Sequence, residues 1–166
     1  ALGYTLYLPE EEKFLSTREE LLARLRGVLG GRAAEDVVFG MVSTGAANDI
    51  QQATALARNM VALYGMSDEL GLMAAASVHG KYLEGRSYMD CSDETAALVD
   101  KAVKRLLDEA YTSAKDLLRE NRALLDEISE YLLLKETITG EELMAFIKAE
   151  KDPKPEAETP SEEITE

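Results

Sequence analysis

Apolar residues recur at intervals of three and four positions over residues 92–117, the longest such stretch in the chain. The apolar positions are Val99, Val103, Leu106, Ala110, Ala114 and Leu117. This spacing places them on one face of an α-helix. Ser92, followed by Asp93 and Glu94, is typical of a helix start. The stretch therefore predicts a long surface helix with one buried face and favours a mainly α-helical fold.

An earlier helix is predicted to begin at Ser16 or Thr17, because a glutamate stands three residues after each and completes a capping box. Gly30 and Gly31 interrupt this helix. They indicate either a break between two helices or a point of close helix packing, and the sequence leaves both interpretations open. The apolar residues beyond them end at Gly40.

Three more helices follow from the same periodicity. One starts near Asp49 and carries an apolar stripe, and another follows Asn121 as its cap. The last opens at Thr139, where Glu142 completes a second capping box. The predicted stripe of the first of these helices comprises Ile50, Ala53, Ala57, Met60, Val61 and Tyr64.

Three segments do not follow the helical period. Residues 2–8 follow a period of two, in which Leu2, Tyr4, Leu6 and Leu8 alternate with Gly3, Thr5 and Tyr7 up to Pro9, and this predicts a short strand. A lone strand is not stable, so we expect its partner upstream and expect the chain to be a fragment. Residues 67–91 contain scattered glycines and predict a long irregular loop or a pair of poor strands. Residues 150–166 combine acids with prolines and predict a disordered tail after a domain over residues 1–149.

Charge and rare residues exclude several functions. The 166 residues include 18 basic and 32 acidic side chains, a net charge of −14, so nucleic acid is not an expected partner and anionic lipid is disfavoured. No apolar run reaches the roughly 18–20 residues that cross a bilayer. The single cysteine, Cys91, rules out an internal disulfide. The single histidine, His79, rules out a two-histidine zinc site within the chain. Because neither has a partner at ligand spacing, we interpret both as ordinary loop residues.

Asp49 is an acidic residue at an unusual position, beside the apolar stripe of its helix. At about 100° per residue it falls at the margin of the apolar stripe, so its carboxylate is predicted to point toward the core side. An acid in a first helical turn can simply favour the positive end of the helix dipole. That explanation does not account for the position of Asp49 beside the apolar stripe, because burial of an unpaired carboxylate costs several kcal/mol.

Four motifs in this order and spacing resemble the FtsH family of ATP-dependent zinc metalloproteases. They are Leu-Gly-Tyr-Thr at residues 2–5, Leu-Gly-Gly-Arg-Ala-Ala-Glu at 29–35, Ser-Thr-Gly-Ala-Ala-Asn-Asp at 43–49 and Tyr-Gly-Met-Ser at 64–67. The resemblance covers residues 1–149 and corresponds to the later part of the family's peptidase domain. It implies a helical peptidase-type domain that is truncated before the family's zinc-binding helix.

The resemblance also implies a metal-site role for one residue. In the family, zinc is held by two histidines of a His-Glu-x-x-His helix and by an aspartate of the motif that matches residues 43–49. Asp49 is therefore the implied third zinc ligand. The family's general base, the glutamate between the histidines, maps to nothing in this chain. No catalytic residue is assigned, and Glu35 is left open as a partner of a ligating histidine or a salt-bridged surface acid.

For the intact parent, the resemblance implies a hexameric zinc endopeptidase that degrades unfolded or short-lived polypeptides. Upstream segments would anchor it in the bacterial inner membrane, with this domain facing the cytoplasm, and a separate ATPase module would bind ATP and magnesium. Since catalytic zinc needs about three protein ligands, we expect the fragment alone to be inactive and to bind zinc weakly.

Two other interpretations compete with this one. A non-enzymatic helical protein–protein interaction module would account equally well for the helices, the acidic charge and the absent catalytic pair. A helical bundle with its own metal site is disfavoured, because the sequence contains no Glu-x-x-His pair.

Overall fold

A computed structural model describes residue 5 and residues 15–78 and 87–151. Within these residues six α-helices and one antiparallel pair of short strands form, which confirms the predicted mainly α-helical class. The helices are α1 (Arg18–Val28), α2 (Gly30–Phe39), α3 (Ala47–Ala62), α4 (Asp93–Glu120), α5 (Arg122–Lys135) and α6 (Gly140–Lys151). The chain divides into two compact units, Ala1–Leu117 and Leu118–Glu166.

The predictions for the two ends of the chain fall mostly outside the described residues. The predicted strand over residues 2–8 is described only at Thr5, which has no regular secondary structure. Helix α6 extends to Lys151, two residues into the segment predicted as a tail, and residues 152–166 are not described. The domain boundary at residue 149 therefore stays a prediction.

Helix α1 begins as predicted, with a complete capping box. The Thr17 hydroxyl accepts a hydrogen bond from the Glu20 N–H (3.2 Å), and the Glu20 carboxylate accepts one from the Thr17 N–H (2.9 Å). The buried side chains of this helix, Leu21 and Leu25, join Leu29 in a core cluster that includes residues of α3. The cap fixes where the helix starts, and the leucines fix which face it buries.

The glycine pair marks a change of helix. Leu29 ends α1, and its N–H still donates to the Leu25 carbonyl, so α2 follows without a loop. A Cβ atom added at Gly30 or Gly31 would have no other group within 4 Å among the described residues. Of the two interpretations, the described part of the structure therefore supports a break between helices over close packing.

The core of the first unit forms mainly between α1, α3 and α4. The stripe predicted for α4 is buried from Val99 to Ala114, with Val99 and Leu106 fully inaccessible, while Leu117 is exposed. In α3, Ala53, Ala57, Met60 and Val61 are fully buried as predicted. Ile50 and Tyr64, assigned to the same stripe, are exposed by 40% and 52%, so that part of the prediction was wrong.

Between α3 and α4, the described residues 63–78 and 87–91 contain two short strands, β1 (Ala76–Val78) and β2 (Ser87–Met89), that pair antiparallel with Ser77 opposite Tyr88. This matches the second of the two alternatives predicted for residues 67–91. The segment is tied to α4 by Arg105, whose guanidinium binds the Glu69 carboxylate through two nitrogens at 2.6 and 3.0 Å. These bonds hold the pKa of Glu69 below its usual range.

In the second unit, α5 and α6 pack together without a buried residue in α5. The Tyr131 and Phe146 rings meet edge to face, with centroids 5.2 Å apart. The capping box predicted at Thr139 is present: its N–H donates to Glu142 (2.9 Å), and its hydroxyl accepts from the Glu142 N–H (3.3 Å). Asn121 precedes α5 as predicted, but its side chain makes no capping hydrogen bond.

Candidate metal-ligand turn

Asp49 lies in the first turn of α3 and is half-buried. It stands one helical turn before Ala53 and two turns before Ala57, and both alanines are fully buried. Residues four apart lie on one face of a helix, so Asp49 begins the line of positions that faces the core. Its neighbour Ile50 is 40% exposed and lies on the adjacent, outer face.

The Asp49 carboxylate makes no hydrogen bond or ion pair with any residue that the structure describes. Over the same residues, no group of three His, Cys, Asp or Glu side chains is arranged to hold a metal ion. Asp49 can thus offer one carboxylate group as a metal ligand. It lies in the first turn of α3, at the positive end of the helix dipole. A complete zinc site needs about three protein ligands, so these residues fit the ion as one ligand.

The turn that leads to Asp49 is held by its own hydrogen bonds. We call residues 43–49 the Asp49 turn. Ser43 caps a short 3₁₀ helix, Thr44–Ala46, and its hydroxyl oxygen accepts the Gly45 N–H at 3.1 Å. Ala46 is buried and is followed directly by α3. The backbone therefore enters the first turn of α3 along a fixed path.

Glu35 of α2 braces the same turn from outside. Its carboxylate accepts hydrogen bonds from the Ser43 N–H (3.1 Å) and from the Ser43 hydroxyl (2.5 Å). A guanidinium nitrogen of Arg32 lies 3.6 Å from the carboxylate oxygen that accepts the Ser43 N–H. The bonds from Ser43, more than the charge of Arg32, lower the pKa of Glu35 below its usual value. Glu35 is therefore a charged acceptor at neutral pH.

An ion pair of Glu35 was one of the two interpretations drawn from the sequence, but the hydrogen bonds from Ser43 to Glu35 were not predicted. Arg32 and Glu35 are three residues apart on a helix, which is a readable spacing. The bond to Ser43 depends on a reversal of the chain at Gly40, whose φ of 65° is accessible to glycine at little cost. A glycine that ends a helix just before a serine cap is the signal that was available.

The other residues singled out in the sequence lie elsewhere or are not described. Cys91 is half-buried and packs against the core. His79 lies outside the described residues. An open cleft of about 740 Å³ lies between α1 and α3, lined by Leu21, Arg24 and Leu56 among others, and Asp49 is not among its lining residues. None of the described helices is both long enough and apolar enough to cross a membrane.

Comparisons with known proteins point in one direction. The model of peptidase family M41 matches residues 1–146. An ATP-dependent zinc metalloprotease FtsH of Clostridium perfringens is 48% identical over 95% of this chain and 22% of its own length. Proteins of the same name in Thermotoga maritima and Rubrobacter xylanophilus are 49% and 48% identical over 90% and 89% of the chain. The chain spans about a quarter of the length of these relatives.

Proposed function

The chain belongs to peptidase family M41, and from this membership we propose that it is part of the peptidase domain of an ATP-dependent zinc metalloendopeptidase. The protein would degrade unfolded or short-lived polypeptides. Asp49 would serve as the third protein ligand of the zinc ion, and the helices around it would form the scaffold that holds this ligand.

The observation that carries the proposal is the setting of Asp49. A half-buried carboxylate at the start of α3 has no partner among the described residues, yet the turn before it is fixed by hydrogen bonds that Ser43 donates to Glu35 and accepts from Gly45. Burial of an unpaired carboxylate costs free energy, and a cation that meets the charge offsets that cost. A rigid turn that presents an unpaired carboxylate is suited to metal coordination, since fixed ligands lose little freedom on binding.

The remaining ligands would come from outside the described residues. The chemistry that a bound zinc ion supplies is polarisation of a water molecule and of the scissile carbonyl group. Within this chain, Asp49 would contribute an anionic oxygen, and the Asp49 turn would fix its direction. No residue of the chain is assigned as general base, and the chain alone would be inactive.

The proposal extends to the intact protein. The similar proteins are named as ATP-dependent proteases, and we propose an ATPase module that binds ATP and magnesium elsewhere in the polypeptide. We also propose a homohexamer that is anchored in the bacterial inner membrane by segments outside this chain, with this domain on the cytoplasmic side. These features rest on the family resemblance.

A helical protein–protein interaction module is the competing function. The observation in its favour is the exposure of Leu133 and Leu134 on α5, at 82% and 86% of their full surface. Exposed apolar side chains that lie together are typical of interaction surfaces. This function needs no metal, so zinc dependence separates the two.

The test is degradation of an unfolded polypeptide by the intact protein, with ATP, in three forms: unaltered, Asp49→Asn and Asp68→Asn. Asp68 is an exposed aspartate outside the Asp49 turn and serves as the matched control. We expect zinc chelation to abolish activity and Asp49→Asn to reduce it by at least about 100-fold, as for loss of a metal-site group. Activity that survives both chelation and Asp49→Asn would overturn the proposal.

A further inference from the structure

A second cluster of side chains ties α2 to α4. The Tyr111 hydroxyl donates a hydrogen bond to the Asp36 carboxylate at 2.8 Å, and the Lys115 ammonium binds the same carboxylate oxygen at 3.1 Å. The ammonium also lies 4.6 Å from the centre of the Tyr111 ring, within range of a cation–π contact. We call Asp36, Tyr111 and Lys115 the Asp36 cluster.

The cluster is partly shielded from water. The Lys115 and Asp36 side chains keep 22% and 33% of their surface exposed. Burial, together with the bond to Asp36, raises the pKa of Tyr111, so its hydroxyl remains protonated as a donor at neutral pH. Partial burial strengthens such bonds relative to those of a fully exposed pair.

Helix α2 depends on such contacts because it has few apolar anchors. Ala33 is its only fully buried residue. A buried alanine contributes little area compared with the leucines that hold α1. The polar bonds of the Asp36 cluster therefore add to the contacts that hold α2 against α4.

Asp36 is the neighbour of Glu35, which braces the Asp49 turn. Asp36 accepts a hydrogen bond from Tyr111 of α4, and Glu35, the residue before it, accepts one from Ser43. Because the two residues share a rigid helical backbone, a shift of α2 away from α4 would move the Glu35 carboxylate relative to Ser43. The contacts form an unbroken series from α4 to the turn that presents Asp49.

We propose that Tyr111 and Lys115 are positioning residues for the Asp49 turn: acting through Asp36 and Glu35 of α2, they set how tightly the intact peptidase holds its zinc ion. This inference rests on the proposed function, because it takes Asp49 as a zinc ligand. It assigns α4 a role at the metal site, although neither Tyr111 nor Lys115 is proposed to touch the metal.

The chain supplies a matched control for the cluster. In the second unit, Tyr131 donates to Glu142 at 3.0 Å, and Lys135 binds the same carboxylate while lying 5.7 Å from the Tyr131 ring centre. It is the same pairing of a tyrosine, a lysine four residues later and one shared carboxylate. Tyr131→Phe therefore removes an equivalent hydroxyl without touching α2.

The experiment uses the intact protein in four forms: unaltered, Tyr111→Phe, Lys115→Met and Tyr131→Phe. Hydrogen exchange of residues 43–49 is measured in the metal-free protein, and the zinc dissociation rate is measured with a chromophoric chelator. For Tyr111→Phe and Lys115→Met we expect several-fold faster exchange and about 10-fold faster zinc release, the lower range for residues that orient a metal ligand. Tyr131→Phe should change neither.

A double variant tests whether the effect passes through Glu35. If it does, Tyr111→Phe combined with Glu35→Gln will release zinc no faster than Glu35→Gln alone, whereas independent sites would add. Lys115→Arg, which keeps the charge, should restore slow release. A purely structural cluster would lower the melting temperature without changing the zinc dissociation rate at a temperature where the protein is folded.

Two further results would overturn the inference that Tyr111 and Lys115 position the Asp49 turn. Unchanged exchange in Tyr111→Phe, or faster exchange with unchanged zinc release, would overturn the inference and leave the proposed function standing. An unaltered protein that holds no zinc would overturn both proposals. The two failures are thus distinguishable from the unaltered protein alone.

Discussion

The Glu35 carboxylate accepts two hydrogen bonds from one residue, Ser43, through the backbone N–H at 3.1 Å and the hydroxyl at 2.5 Å. The same hydroxyl oxygen accepts the Gly45 N–H. Ser43 is therefore bonded both to Glu35 and to Gly45. Through Glu35, helix α2 sets the geometry of the Asp49 turn.

Replacing this acceptor should loosen the turn. In Glu35→Gln the amide can accept only through its oxygen, so at least one of the two Ser43 bonds is lost or weakened. We predict several-fold faster amide exchange at Gly45, measured by NMR on the 166-residue chain. Glu19→Gln, at an exposed acid in the first turn of α1, is the control and should leave Gly45 unchanged. Equal exchange in the two variants would contradict the role given to Glu35.

The loss of stability caused by an alanine substitution in the apolar stripe of α4 should depend strongly on how buried the replaced residue is. Leu106 is fully buried and Leu117 is 57% exposed, on the same helix. We predict that Leu106→Ala lowers the free energy of unfolding by about 2–5 kcal/mol because it leaves a cavity. Leu117→Ala should stay within about 0.5 kcal/mol. Urea unfolding followed by circular dichroism measures both, and similar losses at the two positions would be inconsistent with the packing described.

Glu142 should make the contact between α5 and α6 sensitive to acid. Bonds from Lys135, then from the Thr139 N–H and Tyr131, lower the pKa of Glu142 from its ordinary 4.5 to about 2. A lowered pKa means that this contribution to stability is complete above about pH 4.5 and is lost as the pH falls through about 2. Carbon-13 NMR of the Glu142 carboxyl should show a midpoint near 2.

Removal of the lysine should raise that midpoint. In Lys135→Met the largest cause of the shift is gone, so the pKa of Glu142 should move up toward its ordinary value. Lys148→Met, at an exposed lysine of α6, should leave the midpoint in place. A midpoint already near 4.5 in the unaltered chain would show that the contact with Lys135 does not persist in solution.

The 166-residue chain by itself should bind zinc poorly. Asp49 offers one carboxylate, and the residues that the structure describes include no group of three potential ligands around an ion. Because tight zinc sites use about three or four protein ligands, we predict no sub-micromolar binding in a calorimetric titration. A single tight site with one ion per chain would show that the chain holds a complete metal centre.

Features that depend on nearby residues were predicted well from the sequence. The capping boxes of Thr17 with Glu20 and of Thr139 with Glu142 are present, because a cap needs only residues three apart. The buried face of α4 was also correct from Val99 to Ala114, since a long periodic stretch leaves little choice of face.

Features that depend on distant contacts were not predictable in the same way. Periodicity assigned Ile50 to a buried stripe, but it cannot say how far along a helix the neighbouring elements reach, and Ile50 is 40% exposed. Tyr111 and Asp36 are 75 residues apart, and no local pattern pairs them. The proposed role of Asp49 came from the family resemblance of the motif at residues 43–49, and its position at the margin of the stripe agreed with that assignment. The hydrogen bonds between Glu35 and Ser43 emerged only in the structure.

The zinc content of the intact protein tests the proposed role of Asp49 as a zinc ligand most directly. After dialysis against metal-free buffer, elemental analysis of the unaltered protein, Asp49→Asn and the control Asp68→Asn gives the number of ions per chain. We predict about one zinc ion per chain in the unaltered protein and in Asp68→Asn, and loss of the ion in Asp49→Asn. Full zinc retention in Asp49→Asn would contradict the assignment of Asp49 as a ligand.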